Sequence, residues 1–153
     1  MESLHREWME LALKEARLAA EIGEVPVGAV IVRGGEVIAK AHNLCEANRC
    51  ATAHAELLAI EEASRKLGSW RLSDCTLYVT LEPCPMCTGA LINARIPKIV
   101  FGAKDPRAGA CGSLINLLTY PLEMHPDVVS GVMQSESLEL LRAFFEKIRK
   151  NKQ

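Results

Sequence analysis

Four residues in two short runs carry the chemistry this chain can do. His54 and Glu56 stand in Thr52-Ala53-His54-Ala55-Glu56, and Cys84 and Cys87 stand in Glu82-Pro83-Cys84-Pro85-Met86-Cys87. Read as metal ligands, His54, Cys84 and Cys87 are three donors. A structural zinc site closes its tetrahedron with a fourth Cys or His, whereas a catalytic one offers three and leaves the last position to water. Glu56 can stand beside the metal and move protons without occupying a coordination place. The chemistry implied is hydrolysis by an activated water, with one zinc ion per chain.

Each fragment alone has a plainer explanation. A His followed two residues later by Glu arises often by chance, and C-x-x-C in an intracellular protein can be a redox pair or half of a zinc knuckle. The combination is more specific, because a redox pair needs no distant H-x-E and a knuckle needs a second pair. His5, His42 and His125 stand alone. Cys45, Cys50, Cys75 and Cys111 have no metal-type spacing beyond a weak C-x-x-x-x-C at Cys45 and Cys50, so they read as small buried or loop residues.

At 153 residues the chain fits one compact domain, 1–153, large enough to bury roughly 70% of the surface its unfolded form exposes. Hydrophobic residues make up 49% and charged ones 24%, an ordinary balance for a soluble globular protein. The N-terminal run from Met1 to Trp8 carries acids and lacks an apolar core, so it does not read as a signal peptide. No stretch reaches the length of a membrane span, and cysteines without a secretory signal point to a reducing cytoplasm. The formal net charge of −1 gives no global attraction to nucleic acid. A local one is offered by Arg142, Lys147, Arg149, Lys150 and Lys152, although basic residues in a last helical turn also complement the helix dipole.

The elements that must position these residues follow from periodicity. Leu4, Trp8, Leu11, Leu18 and Ile22 recur at helical spacing over residues 3–22, with Gly23 suited to a left-handed stop. Val27 to Val32 and Glu36 to Lys40 flank Arg33-Gly34-Gly35 as a hairpin with a Gly-Gly turn. Thr52 is expected to cap a helix running to about Lys66 and ended by Gly68. Thr76 to Thr80 is a strand, Pro85 opens a short helix, Lys98 to Phe101 is a further strand and Asp127 to Val132 a weaker one. Ser135 to Lys150 is a final helix, expected to turn Leu138, Leu141 and Phe145 inward. Strands separated by helices favour a mixed sheet covered on both faces. His54, Cys84 and Cys87 then fall in the first turns of two helices, where unpaired N–H groups and positive dipole ends stabilise thiolates.

The pair of runs matches H-x-E…P-C-x-x-C, the signature of zinc-dependent nucleobase deaminases. The resemblance extends over nearly the whole chain. Glu24-Val25-Pro26-Val27-Gly28-Ala29-Val30, Asn43, Thr52 to Glu56, Leu77 to Cys84, Cys87, Val100 to Asp105 and Gly109 to Leu114 resemble the bacterial tRNA-specific adenosine deaminases of the cytidine deaminase-like superfamily. That resemblance implies a three-layer α/β/α sandwich with a mixed five-stranded sheet. It also implies a cytoplasmic homodimer that converts the wobble adenosine of a tRNA anticodon stem-loop to inosine.

By the same resemblance His54, Cys84 and Cys87 hold zinc, and Glu56 moves the protons. Asn43 hydrogen-bonds the purine and ribose. The Ala55 N–H and the carbonyl of Glu82 or Pro83 orient the base and its leaving amine, and Val27 and Asp105 stand near the flipped nucleotide. Read without the family, Asn43 and Asp105 are loop and turn residues.

The chain departs from the family at Met124-His125-Pro126, where relatives carry Asn-His-Arg, and at Cys50-Ala51, where they carry Asp-Pro. Both changes fall on RNA recognition rather than on the chemistry. A deaminase of a free base or nucleoside, guanine, adenosine or cytidine, is therefore the alternative, and a zinc-stabilised scaffold without activity is a third reading. Phe144 and Phe145 are available to stack on a base or to fill the core. Leu91, Ile92, Leu114, Ile115, Leu117 and Leu118 are the candidates for a dimer contact.

Overall fold

The computed structural model describes residues 2–152. The elements run α1 (Glu2–Glu21), β1 (Gly28–Arg33), β2 (Glu36–His42), α2 (Ala55–Leu67), β3 (Thr76–Leu81), α3 (Pro85–Asn93), β4 (Lys98–Ala103), β5 (Asp127–Val129) and α4 (Gln134–Asn151), with a short 3-10 turn at Leu117–Thr119. One sheet takes the order β2-β1-β3-β4-β5. β1 is antiparallel to both β2 and β3, while β3–β4 and β4–β5 are parallel. α1 and α4 cover one face, and α2 and α3 the other. The three-layer α/β/α architecture with a mixed five-stranded sheet is therefore the one observed.

Alternation along the strands builds both cores. Ala29, Ile31, Leu77, Val79, Ile99 and Phe101 point towards α2 and α3. Their neighbours Val30, Val32, Tyr78 and Val100 meet Met9 and Leu13 of α1. Burial on both faces explains why the strands read as continuous apolar runs. The β1–β2 turn places Gly34 and Gly35 at φ +57 and +76, the left-handed pair that a two-residue hairpin requires.

Several element boundaries and faces differ from the sequence expectation. α1 forms where predicted, but its buried face is Met9, Ala12, Leu13, Ala16 and Ala19, while Leu4, Leu18 and Ile22 stay exposed. Alanines let the helix lie against the sheet. A Cβ on Gly28 would come within 2.0 Å of the Ala12 carbonyl oxygen and 2.5 Å of the Ala16 nitrogen. α2 begins at Ala55 with His54, not Thr52, as its N-cap; the Thr52 hydroxyl pairs instead with the Cys50 thiol at 3.2 Å. β5 stops at Val129, because the chain turns at Gly131 and Met133, both at positive φ, to enter α4.

α4 is rotated relative to expectation. Ser137 is its buried residue, and Leu138 and Phe145 are exposed. The Ser137 hydroxyl donates to the Thr80 carbonyl, and Gly102 lies beneath, where a Cβ would fall 2.7 Å from the Thr80 carbonyl oxygen. The closest approach of helix and sheet thus has room only for a small side chain, and the Leu138–Leu141–Phe145 stripe turns aside.

Close packing at Gly28 predicts that Gly28→Ala destabilises the fold by about 3 kcal/mol, the upper end for overpacking against backbone. Chemical denaturation measures it. A change within about 0.5 kcal/mol, the scale of neutral surface substitutions, would contradict the packing described.

Candidate active site

Two helices begin at the same place. α2 follows β2 through the 43–54 loop, and α3 follows β3 through Glu82 and Pro83. The N-caps are His54 and Cys84, both extended, and neither side chain caps its own helix. In the usual arrangement a Ser, Thr, Asp or Asn at this position spends its side chain on the first-turn N–H groups. Here the imidazole and the thiol point across the gap instead. Pro85 occupies the first turn of α3, where a missing N–H costs nothing, and Cys87 completes that turn.

The donor atoms converge. His54 Nδ1 lies 3.7 Å from Cys84 Sγ and 3.5 Å from Cys87 Sγ, and the three ligand atoms lie within 4.8 Å of one another. In a tetrahedron with Zn–S about 2.3 Å and Zn–N about 2.0 Å, nitrogen and sulfur stand about 3.5 Å apart, so the spacing fits zinc. The donor set also fits, with two thiols and one imidazole. Cys84 is depressed to about 4, first by the Cys87 thiol that donates to it and then by His54. Cys87 is correspondingly pushed up by Cys84 and by burial. The Cys84 interaction likewise raises His54.

Glu56 stands in the first turn of α2 and is only 4% exposed. Burial raises its carboxyl from 4.5 to about 7, against the opposing pull of His54. A carboxyl that holds and releases a proton near neutrality suits general acid–base work.

The other sequence-predicted residues gather around this centre. Val27, Asn43, His54, Glu56, Glu82, Cys84 and Asp105 line one cleft of about 380 Å³; Ala55, Pro83 and Cys87 are buried behind its wall. The Asn43 side-chain oxygen accepts the Ala55 N–H at 2.9 Å, so these two residues act as a unit and the Asn43 amide nitrogen is left to donate. The Pro83 carbonyl accepts from the Ala110 N–H at 2.9 Å. Asp105 accepts the Arg107 and Ala108 N–H groups at 3.0 and 3.3 Å, forming a turn at the cleft edge. Phe144, Phe145 and Ile148 of α4 complete the wall, so the two aromatics face the cleft rather than the core. Their rings pack edge to face at 5.3 Å.

Two buried carboxylates in this wall escaped sequence reasoning. Glu24, 2% exposed, accepts the Glu46 and Ala47 N–H groups at 3.0 and 2.7 Å and holds the 43–54 loop. The Glu82 side chain holds the loop after β4. No local pattern marks such acids, because their partners are backbone groups distant in sequence. Of the dimer candidates, Leu91 and Ile92 lie in the core, whereas Leu114 and Ile115 are exposed.

A cytidine deaminase-like sheet with three convergent ligands at the starts of two helices defines a deaminase, a class of hydrolase. Comparison with known proteins agrees. Residues 3–149 match the MafB19-like deaminase family model. A tRNA-specific adenosine deaminase of Bacillus subtilis is 54% identical over 146 residues, 95% of this chain and 91% of that protein. One from Aquifex aeolicus is 49% identical over 94% of this chain and 95% of its own length. A structure from a study of A-to-I editing by tRNA:A34 deaminases superposes with a TM-score of 0.86 at 48% identity, covering 88% of this chain and 99% of the other. A guanine deaminase from Nitrosomonas europaea superposes at 0.76 with 25% identity, covering 91% and 83%. The chain belongs to the MafB19-like deaminases and to the family of tRNA-specific adenosine deaminases.

The raised Glu56 makes a pH prediction for protein stripped of metal by a chelator. The folded chain holds an extra proton between pH 4.5 and about 7, so the stability Glu56 contributes is full below 4.5 and is lost as pH rises through 7. Depressed Cys84 works in the opposite sense over this window, so the effect is read as a difference. Glu56→Gln, which mimics the protonated acid, should gain in Tm on the wild type as pH rises from 4.5 to 7 and then hold level. A gap independent of pH would show that Glu56 ionises as freely in the folded chain as in the unfolded one.

Proposed function

We propose that this chain is a single-domain, zinc-dependent hydrolase, residues 1–153, that converts the adenosine at the wobble position of a tRNA anticodon loop to inosine. The chemistry is carried by one observation, the buried Glu56 carboxyl beside the cluster of His54, Cys84 and Cys87. Likeness to tRNA-specific adenosine deaminases along the chain's length supports the substrate.

His54, Cys84 and Cys87 would hold the zinc, which when bound lowers the pKa of a coordinated water to about 7. Glu56 would accept a proton from the attacking water and deliver it to the purine ring nitrogen as the water oxygen bonds to the carbon bearing the amine. The remaining proton of the added oxygen would pass through the same carboxyl to the amine; the carbon–nitrogen bond then breaks, ammonia leaves and the added oxygen stays as the carbonyl of inosine. Asn43 donates to the purine and ribose from the amide nitrogen that its bond to Ala55 leaves over. The carbonyl of Glu82 or Pro83, with Val27 and Asp105, fixes the plane and depth of the base.

The cleft of about 380 Å³ is read as taking a single unpaired base, which is flipped out of the loop to react. Phe145, exposed at the cleft edge, offers a flanking base a stacking surface. Lys147, Arg149, Lys150 and Lys152 on the exposed end of α4 are set to meet phosphate. The reaction takes place in the cytoplasm, where tRNA is available. Leu114 and Ile115, exposed beside the half-buried Leu117 and Leu118, supply the contact of a homodimer. Among the described residues no helix is long and apolar enough to cross a membrane.

Likeness to the guanine deaminase supports a second reading, in which the cleft takes a free base or nucleoside. One comparison separates the two. An anticodon stem-loop with adenosine at the wobble position should be deaminated, and free adenosine, cytidine and guanine should not; turnover of the free compounds alone would overturn the RNA reading. Metal analysis should return one zinc per chain. Glu56→Ala should keep that zinc and lose at least about 100-fold in kcat, the lower range for general acid–base catalysis; undiminished turnover would remove Glu56 from its role. Stem-loop affinity should fall steeply between 50 and 200 mM salt, as counterion release requires, and a flat response would free α4 of phosphate contact.

A further inference from the structure

Glu82 joins the end of β3 to the ligand turn, and its side chain is 2% exposed. It makes no ion pair among the described residues. Instead its carboxylate gathers donors from one segment, the 104–116 loop that follows β4. Oε1 accepts the Asp105 N–H at 3.1 Å and the Ser113 hydroxyl, and Oε2 accepts the Cys111 and Ser113 N–H groups at 3.0 and 3.1 Å. A buried carboxylate is tolerated when charge-assisted bonds satisfy its lone pairs, and four donors do so here. The loop is shaped to reach it. At Gly109 a Cβ would fall 2.4 Å from Glu82 Cδ and Oε2 and 2.5 Å from the Asp105 carbonyl oxygen, so only glycine lets the loop close down on the acid.

The position of this latch matters because of what hangs from each side. Two residues after Glu82 comes the ligand Cys84, while the captured loop carries Asp105 and Ala108 into the cleft wall. The Ala110 N–H reinforces the join by donating to the Pro83 carbonyl at 2.9 Å.

We propose that Glu82 is a positioning residue of the deamination reaction: its carboxylate latches the 104–116 loop to the ligand turn and so sets where Asp105 and Ala108 stand relative to the reacting base. The role belongs to the side chain, apart from any contact made by the Glu82 carbonyl. It rests on the substrate reading above for its kinetic consequence, but the latch itself is measured without substrate.

Glu82→Gln keeps the shape and turns an acceptor oxygen into an N–H2 group facing the donors of the loop. In zinc-loaded protein, hydrogen exchange at Cys111 and Ser113 should accelerate at least about tenfold, as opening of a local unit predicts, with zinc content unchanged. On the stem-loop, KM should rise about tenfold while kcat stays within about threefold, because displaced contacts impair binding and orientation more than proton transfer. Gly109→Ala attacks the same latch from the loop side, so the double variant should add little to either single one. Should Glu82→Gln fail to fold, Ser113→Ala removes one donor and should shift exchange and KM in the same direction by less. Unchanged exchange in Glu82→Gln or in Ser113→Ala, a loss confined to kcat, or additive effects in the double variant would overturn the proposal. If the wild type does not turn over the stem-loop, the substrate reading fails and exchange alone still judges the latch.

Discussion

Three donors, two sulfur and one nitrogen, from two separate runs of the chain must be brought within a few ångströms of one point, and the rest of the molecule answers to that constraint. The solution is to start two helices at the same place and to use their N-cap positions for His54 and Cys84. Helix starts present unpaired N–H groups and a positive dipole end, which favours a thiolate at Cys84. The N-cap side chains give up their ordinary role, and other groups take over: Asn43 receives the Ala55 N–H. Catalytic placement and helix capping are thus divided between different residues.

The sheet makes this convergence possible. β3 and β4 are parallel and β1 is antiparallel to β3, so the ends of β2, β3 and β4 and the start of β1 share one edge. Ligands in α/β sheets gather beyond the carboxyl ends of strands for the same reason. At that edge the chain leaves the sheet in loops, which carry buried backbone N–H groups with no ladder partner. Glu24 and Glu82 satisfy some of them, one on each side of the cleft. Both side chains are buried and take their hydrogen bonds from loop donors, mostly backbone N–H groups, rather than from an opposite charge.

Burial also divides the labour among acids. Glu56 is enclosed and is raised to about 7, whereas Glu82, equally buried, is surrounded by donors. One glutamate is placed to carry protons beside the ligand cluster, and the other, whose surroundings supply N–H groups, acts as a clasp.

Much of this was legible in the residues. The ligand runs, the hairpin at Gly34-Gly35, the alternating strands and the proline at the start of α3 follow from local preferences, which depend on near neighbours along the chain. The helices were legible as helices, but their faces were not. On α1 the alanines, not the leucines, meet the sheet, since a glycine at position 28 lets the backbones close; on α4, Ser137 takes the inner place for a related reason at Gly102 and Thr80. Which side of a helix is buried depends on the space left by the partner, and that is a property of two elements at once. The sequence by itself determined which atoms can bind a metal and carry protons, because those capacities belong to side chains. Only the tertiary structure decided that the donors meet, that Glu56 is buried and that Glu82 holds a loop, because each of these depends on segments remote in sequence being close in space.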